Sequence, residues 1–283
     1  MLLFPMKRSS VFTLASAFAL ATLGLAGCKK DADQPSAETG EFTLYLDNGV
    51  TQTNSAGVTA FQPLVLDANT YRNANGDEFT VSNFKYYISN VKLLKADNSA
   101  YAVPDSYFLV DHAKPETQDL QIKGVPEGTY TAVAFTVGVD SARTKAGNFT
   151  GVLNGDNGML WTMNGNEFIN LKLEGTSPQS PTRGLIFHVA GYKGAANNTI
   201  RTVTLPFPAA NLLVRPNHSP KIQVRADIAK LFTGPNPPSA TAPPFLNPVN
   251  FAAVYNKMGG PAVSKLADNL AAGMFSVARI HTN

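Results

Sequence analysis

Trp161, the only tryptophan of the chain, stands in Gly158-Met-Leu-Trp-Thr-Met-Asn-Gly-Asn-Glu-Phe-Ile169, with Met159 and Met163 two positions away on either side. Gly155-Asp-Asn-Gly158 and Asn164-Gly-Asn166 are turn formers, so the residues between them read as a short strand or a turn-rich edge. On a strand the three polarizable side chains share one face. Two kinds of chemistry fit that grouping. Thioether sulfur packs favourably against an aromatic ring, which makes a structural cluster. Thioether and imidazole donors also suit Cu(I), which makes a redox or soft-metal site.

The imidazoles that could join such a site are His112, His188, His218 and His281. None forms an HxH or HxxxH pair, so no local zinc motif exists. His188 lies in Leu185-Ile-Phe-His-Val-Ala-Gly-Tyr192, on the strand face opposite Leu185, Phe187 and Val189. It reads as a half-buried histidine bonded to a neighbour, or as a ligand. His112 follows Asp111 at a strand end and reads as a loop residue, and His218 in Arg215-Pro-Asn-His-Ser-Pro220 as a turn residue. There is no GxSxG elbow, no phosphate-binding glycine loop and no CxxC pair. No nucleophile, base and orienting carboxylate share a recognisable context, so binding without catalysis is expected.

The elements that must position these residues begin after an export signal. Lys7 and Arg8 precede the apolar run from Val11 to Ala26, which is short for a bilayer span. Leu25-Ala26-Gly27-Cys28 looks like a bacterial lipobox. That resemblance implies cleavage before Cys28 and lipid on its thiol, with residues 1–27 removed and 28–40 as a flexible tether. Cys28 is the only cysteine, so the domain itself has neither disulfide nor thiolate. Lys29 after the lipidated position favours the outer membrane, on its periplasmic face or at the cell surface. Loss of Lys7 and Arg8 brings the net charge from +3 to +1, which leaves no electrostatic footprint for nucleic acid.

Residues 41–283 read as one all-β domain. The 22 glycines, 19 prolines and low charged fraction of 15% point to many turns and extended segments. Alternating sets are Phe42, Leu44 and Leu46, then Val133, Phe135, Val137 and Val139, then Ile169, Leu171 and Leu173. Two more follow, Leu185, Phe187 and Val189, and Val203, Leu205 and Phe207. In Phe84–Leu93 the apolar parity switches after Ile88, which predicts a bulge near Ser89-Asn90. Residues 233–248 hold six prolines and read as an irregular loop. Beyond them Val263, Leu266, Ala267, Leu270, Ala271 and Met274 fall at helical spacing, and Pro261 suits the first turn. The expected architecture is an antiparallel β-sandwich closed by a C-terminal amphipathic helix.

Phe79–Leu93, Tyr107–Asp111, Val125–Asp140, Gly158–Trp161, Phe168–Gly175, Phe187–Tyr192 and Met274–His281 resemble, in order, the motifs of the MbnP-like family, over roughly residues 41 to 283. The resemblance implies a β-sandwich that binds copper in the periplasm, often as a lipoprotein. It also implies a dihaem cytochrome c peroxidase-like partner that oxidises a tryptophan to kynurenine, with a TonB-dependent transporter as a further possible partner. Carried over, Trp161 is the residue to be oxidised and His188 a copper ligand, with Met159 and His281 as further candidate metal ligands. The chain departs from the family at Met163, at Asn166-Glu167, at Gly259 where a histidine would stand, and at Arg279. These departures put the metal site in question and keep open a metal-free interaction or ligand-binding module.

Overall fold

One strand organises the molecule. Glu78–Leu94 alternates Phe79, Val81, Phe84, Tyr86 and Ile88 toward the interior, and every one of them is fully buried. The computed structural model describes residues 38–162, 165–233 and 248–282. Cys28, the leader, most of the tether, Met163 and nearly all of the proline-rich 233–248 segment lie outside the described residues, and Ala37–Asn283 pack as one compact unit.

Along one edge of Glu78–Leu94 its first half pairs with Glu167–Thr176 and its second half with Ala132–Val137. Its other edge pairs with Tyr107–Asp111 and shorter strands. Gly184–Ala190 extends this sheet beyond Glu167–Thr176, and Asn256–Met258 extends it once more. The opposing sheet is built on Thr39–Thr53, flanked by Thr59–Pro63, Asp119–Pro126 and Lys221–Asp227, with Phe275–His281 outside the last.

Curled sheets and alternation make this the sandwich the sequence predicts. The core side chains of the five alternating sets are buried, with Phe207 packed against their edge. The sheets are antiparallel except at two places. Thr39–Thr53 runs parallel to Lys221–Asp227, and Gly184–Ala190 runs parallel to Asn256–Met258. Parallel neighbours need long crossovers, which the intervening chain supplies in both cases.

The bulge falls where the parity switch places it. The register to Ala132–Val137 slips between Ser89 and Lys92, and Asn90 takes a left-handed φ of 51°. Asparagine tolerates that region better than most residues, which explains its use here. The C-terminal helix differs in one respect from the plain α-helix expected. Pro261–Asn269 is α-helical, and Leu270–Met274 continues as a π turn. Leu270 and Met274 are buried there, and Ala271 is half-exposed. Over the helix-proximal end of the core, Phe79, Phe187, Phe232 and Phe251 interlock edge to face or tilted, with centroids 5.0 to 6.1 Å apart.

Candidate metal site at the outer face of the large sheet

Residues that point away from the core on the large sheet form a lateral row. Asp111 pairs with Lys85, Lys85 with Lys172, Lys172 with His188, and His188 with Met258. Lys85, Lys172 and His188 each lie between core residues on their strands, and Asp111 and Met258 stand opposite two of them, so all five side chains share the outward face. His188 is held in that row by Glu174, whose Oε1 lies 2.7 Å from Nε2. Asn83 donates to the other carboxylate oxygen at 3.0 Å. Lys172 donates from Nζ to the Gly158 carbonyl at 2.5 Å, which ties the row to the turn before Trp161.

Burial pushes the His188 pKa down, and Lys172 adds to that, against the opposing pull of Glu174. The imidazole is therefore neutral at pH 7, and with Nε2 donating to Glu174 its Nδ1 carries the lone pair. Burial pushes the Glu174 carboxyl up, but hydrogen bonds from His188 and Asn83 outweigh it and hold the group below its ordinary range. A carboxylate behind one imidazole nitrogen is the arrangement that orients metal-binding histidines. Nothing in the sequence spacing announces it, because Glu174 and His188 meet diagonally across a strand pair.

Beside this row a second apolar cluster lies outside the main core: Tyr87, Val139, Leu153, Met159, Phe168, Ile169 and Ala190, with Trp161 packed against it. Leu160–Trp161 forms a short strand against Glu167–Phe168. Met159 is fully buried there, and its carbonyl accepts the Ile169 amide at 2.8 Å. Its thioether thus serves the packing side of the sulfur–aromatic reading. Trp161 is only half-buried and lines a cleft of about 460 Å3 with Glu167, Gly191, Lys193, Met258 and Gly259. Glu167 and Lys193 pair across it at 3.2 Å.

Gly259 joins the two halves of the site. Its amide donates to the His188 carbonyl at 3.3 Å. A Cβ placed on it would meet Trp161 Cζ3 at 3.0 Å, and its φ of +72° is left-handed. The indole therefore lies against the very position where a side chain would stand, and glycine leaves room for it. Trp161 and His188 are brought to one neighbourhood, although the imidazole is turned along its strand toward Glu174, at the end away from Trp161.

His281 is not part of this neighbourhood. It stands on Phe275–His281 in the opposing sheet, exposed, opposite Lys221 and 3.4 Å from Gln223 Oε1. His112 bridges Asn48 and the Leu64 carbonyl at a strand end, and His218 bonds the Pro216 carbonyl in its turn. Among the described residues no three His, Cys, Asp or Glu side chains converge as a metal cage.

A family model for MbnP matches residues 39–250. Among solved structures, MbnP from Methylosinus trichosporium is similar over 87% of this chain and 99% of its own, at 12% identity and a TM-score of 0.49. No curated protein matches the sequence.

Proposed function

The chain belongs to the MbnP family, and from that premise we propose that it is an exported, lipid-anchored copper-binding protein of the outer membrane. Copper is held beside Trp161 once that residue has been oxidised to kynurenine. The observation that carries this reading is that the Trp161 indole and the His188 backbone carbonyl both lie against Gly259. A neutral imidazole backed by Glu174 supplies one nitrogen donor, and the kynurenine amine supplies a second. Soft and borderline donors of this kind suit copper.

The oxidation itself falls to a dihaem peroxidase-like partner that consumes peroxide or dioxygen. Two oxygen atoms add across the indole C2–C3 bond, which breaks, and hydrolysis then releases C2 as formate. The half-exposed edge of Trp161 in an open cleft is accessible to such a reaction. Cys28 anchors the protein through its acylated thiol, and a TonB-dependent transporter is a fitting neighbour for onward copper movement.

The test is the intact mass and metal content of the natively exported protein. Kynurenine at residue 161 adds about 4 Da to the chain. Copper at one equivalent, abolished by Trp161→Phe and strongly weakened by His188→Ala, supports the reading. An unmodified Trp161 with no bound copper leaves the alternative, a metal-free ligand-binding module that uses the same cleft.

A further inference from the structure

We propose that Tyr107 and Asp140 form a redox pair that draws an oxidising equivalent away from Trp161, an inference that rests on the oxidation of Trp161 proposed above. The Tyr107 hydroxyl donates to Asp140 Oδ2 at 2.6 Å, the length of a hydrogen bond from a neutral hydroxyl to a carboxylate. Helix capping does not account for this contact. Asp140 caps Ser141–Ala146 through Oδ1, which accepts the Arg143 amide at 2.9 Å. Its Oδ2 is left for Tyr107 and, at 3.3 Å, for Asn90. Tyr107 is half-buried, so its ring is open in part to small reductants in solvent.

Aromatic side chains connect this pair to Trp161. Tyr107 stands opposite Ser89 and Leu109 opposite Tyr87, so Tyr107 and Tyr87 are diagonal neighbours on the outward face. Tyr87 packs edge-on against Phe168, with centroids 5.4 Å apart, and Phe168 pairs with Leu160, the residue before Trp161. Tyr107 and Trp161 both pack against the small apolar cluster that holds Tyr87 and Phe168. The step moves one electron and one proton. The high-valent haem of the partner takes an electron from Trp161 and leaves an indole radical cation. An electron from Tyr107 restores the indole, the phenol proton passes to Asp140, and a neutral tyrosyl radical remains. Burial pushes the Asp140 carboxyl up, but hydrogen bonds from Tyr107, the Arg143 amide and Asn90 hold it below its ordinary range, so it is a carboxylate at neutral pH. The radical cation of a phenol is a far stronger acid than any carboxylic acid, so Asp140 takes the proton all the same. A small one-electron reductant of the enediol or thiol class then returns the electron, and Asp140 returns the proton. Equivalents beyond those that convert Trp161 thus leave through Tyr107.

The experiment uses the protein made in a host without the haem partner, with Trp161 unmodified. A flash-generated ruthenium(III) polypyridyl complex oxidises it, and transient absorption follows the radicals. Trp161 is the only tryptophan, so the indole radical signal belongs to it alone. The expected result is decay of the indole radical and growth of a tyrosyl radical with a single rate constant, unchanged by protein dilution. Tyrosines oxidised directly give a prompt signal instead, which Trp161→Phe isolates. Tyr107→Phe is expected to lose the coupled phase, with thermal melting as the check on folding. Asp140→Asn keeps a good helix cap but has no carboxylate, and is expected to slow the phase severalfold. A coupled phase that persists in folded Tyr107→Phe, or is absent from the wild type, overturns the proposal, and an unchanged rate in Asp140→Asn overturns Asp140 as the proton acceptor. Neither result bears on the copper reading, which stands or falls with the mass and metal content of the natively exported protein.

Discussion

At the scale of single residues the site turns on His188 and Gly259. His188 enters the fold with its pKa pushed below the ordinary 6.5 by burial. As pH falls through 6.5 toward the lowered value, the unfolded chain takes up a proton that the folded chain resists, so stability falls with acidification in that window. Glu174, held below its usual range, adds a further loss at lower pH. Urea titrations across this window are expected to show the first loss in the wild type and its absence in His188→Gln. Copper affinity should follow the same lowered pKa and hold its neutral-pH value until below pH 6.5. Gly259→Ala places a Cβ in a left-handed backbone against the indole, with a cost of roughly 1–2 kcal/mol. A shift of Trp161 fluorescence should accompany it, and an unaltered emission spectrum would contradict the close contact.

At the scale of elements, the cleft depends on a buried link that carries no ligand. Asn170 sits at the register slip between Ile169 and Leu171. Its Oδ1 accepts the Val139 amide at 3.1 Å, and its Nδ2 donates to Thr199 Oγ1 at 2.8 Å. Thr199 in turn donates to the Gly191 carbonyl, at 3.1 Å, on the cleft wall. Asn170→Ala should cost about 1–3 kcal/mol for each buried group left unpaired. The urea midpoint is expected to fall with an unchanged slope, and a midpoint equal to wild type would show the link to be dispensable. This is also the scale at which the sequence was most legible. Alternation of Phe42, Leu44 and Leu46, of Leu185, Phe187 and Val189, and the parity switch at Ser89-Asn90 are all local patterns, and each has its place in the fold. The parallel pairs and the Glu174–His188 diagonal arise from register, the first between strands distant in the chain and the second between consecutive strands, and periodicity within one strand carries no record of its partner. Trp161 and His188 could be singled out by residue type, but Met258 and Glu174 become site residues only through that register.

For the whole molecule, stability rests on the aromatic interior between the sheets. Phe187 is fully buried, with centroids 5.4 Å from Phe232 and 6.1 Å from Phe251. Phe187→Ala is expected to cost about 3–5 kcal/mol, because the surrounding rings cannot collapse into the space. Chemical denaturation monitored by circular dichroism measures it. Attachment is a separate property: Cys28→Ser should release the protein from the outer-membrane fraction without changing its melting temperature, since the proposed anchor precedes the first strand in the sequence. The parallel register joining Thr43–Gly49 to Lys221–Asp227 sets a constraint of another kind. The first strand of the domain cannot complete its sheet until a segment near the other end of the chain arrives. Such long loop closures slow folding. Under the proposed export, a chain emerging N-terminus first keeps this sheet open until most of its length has crossed, because Lys221–Asp227 must arrive before Thr39–Thr53 can pair with it.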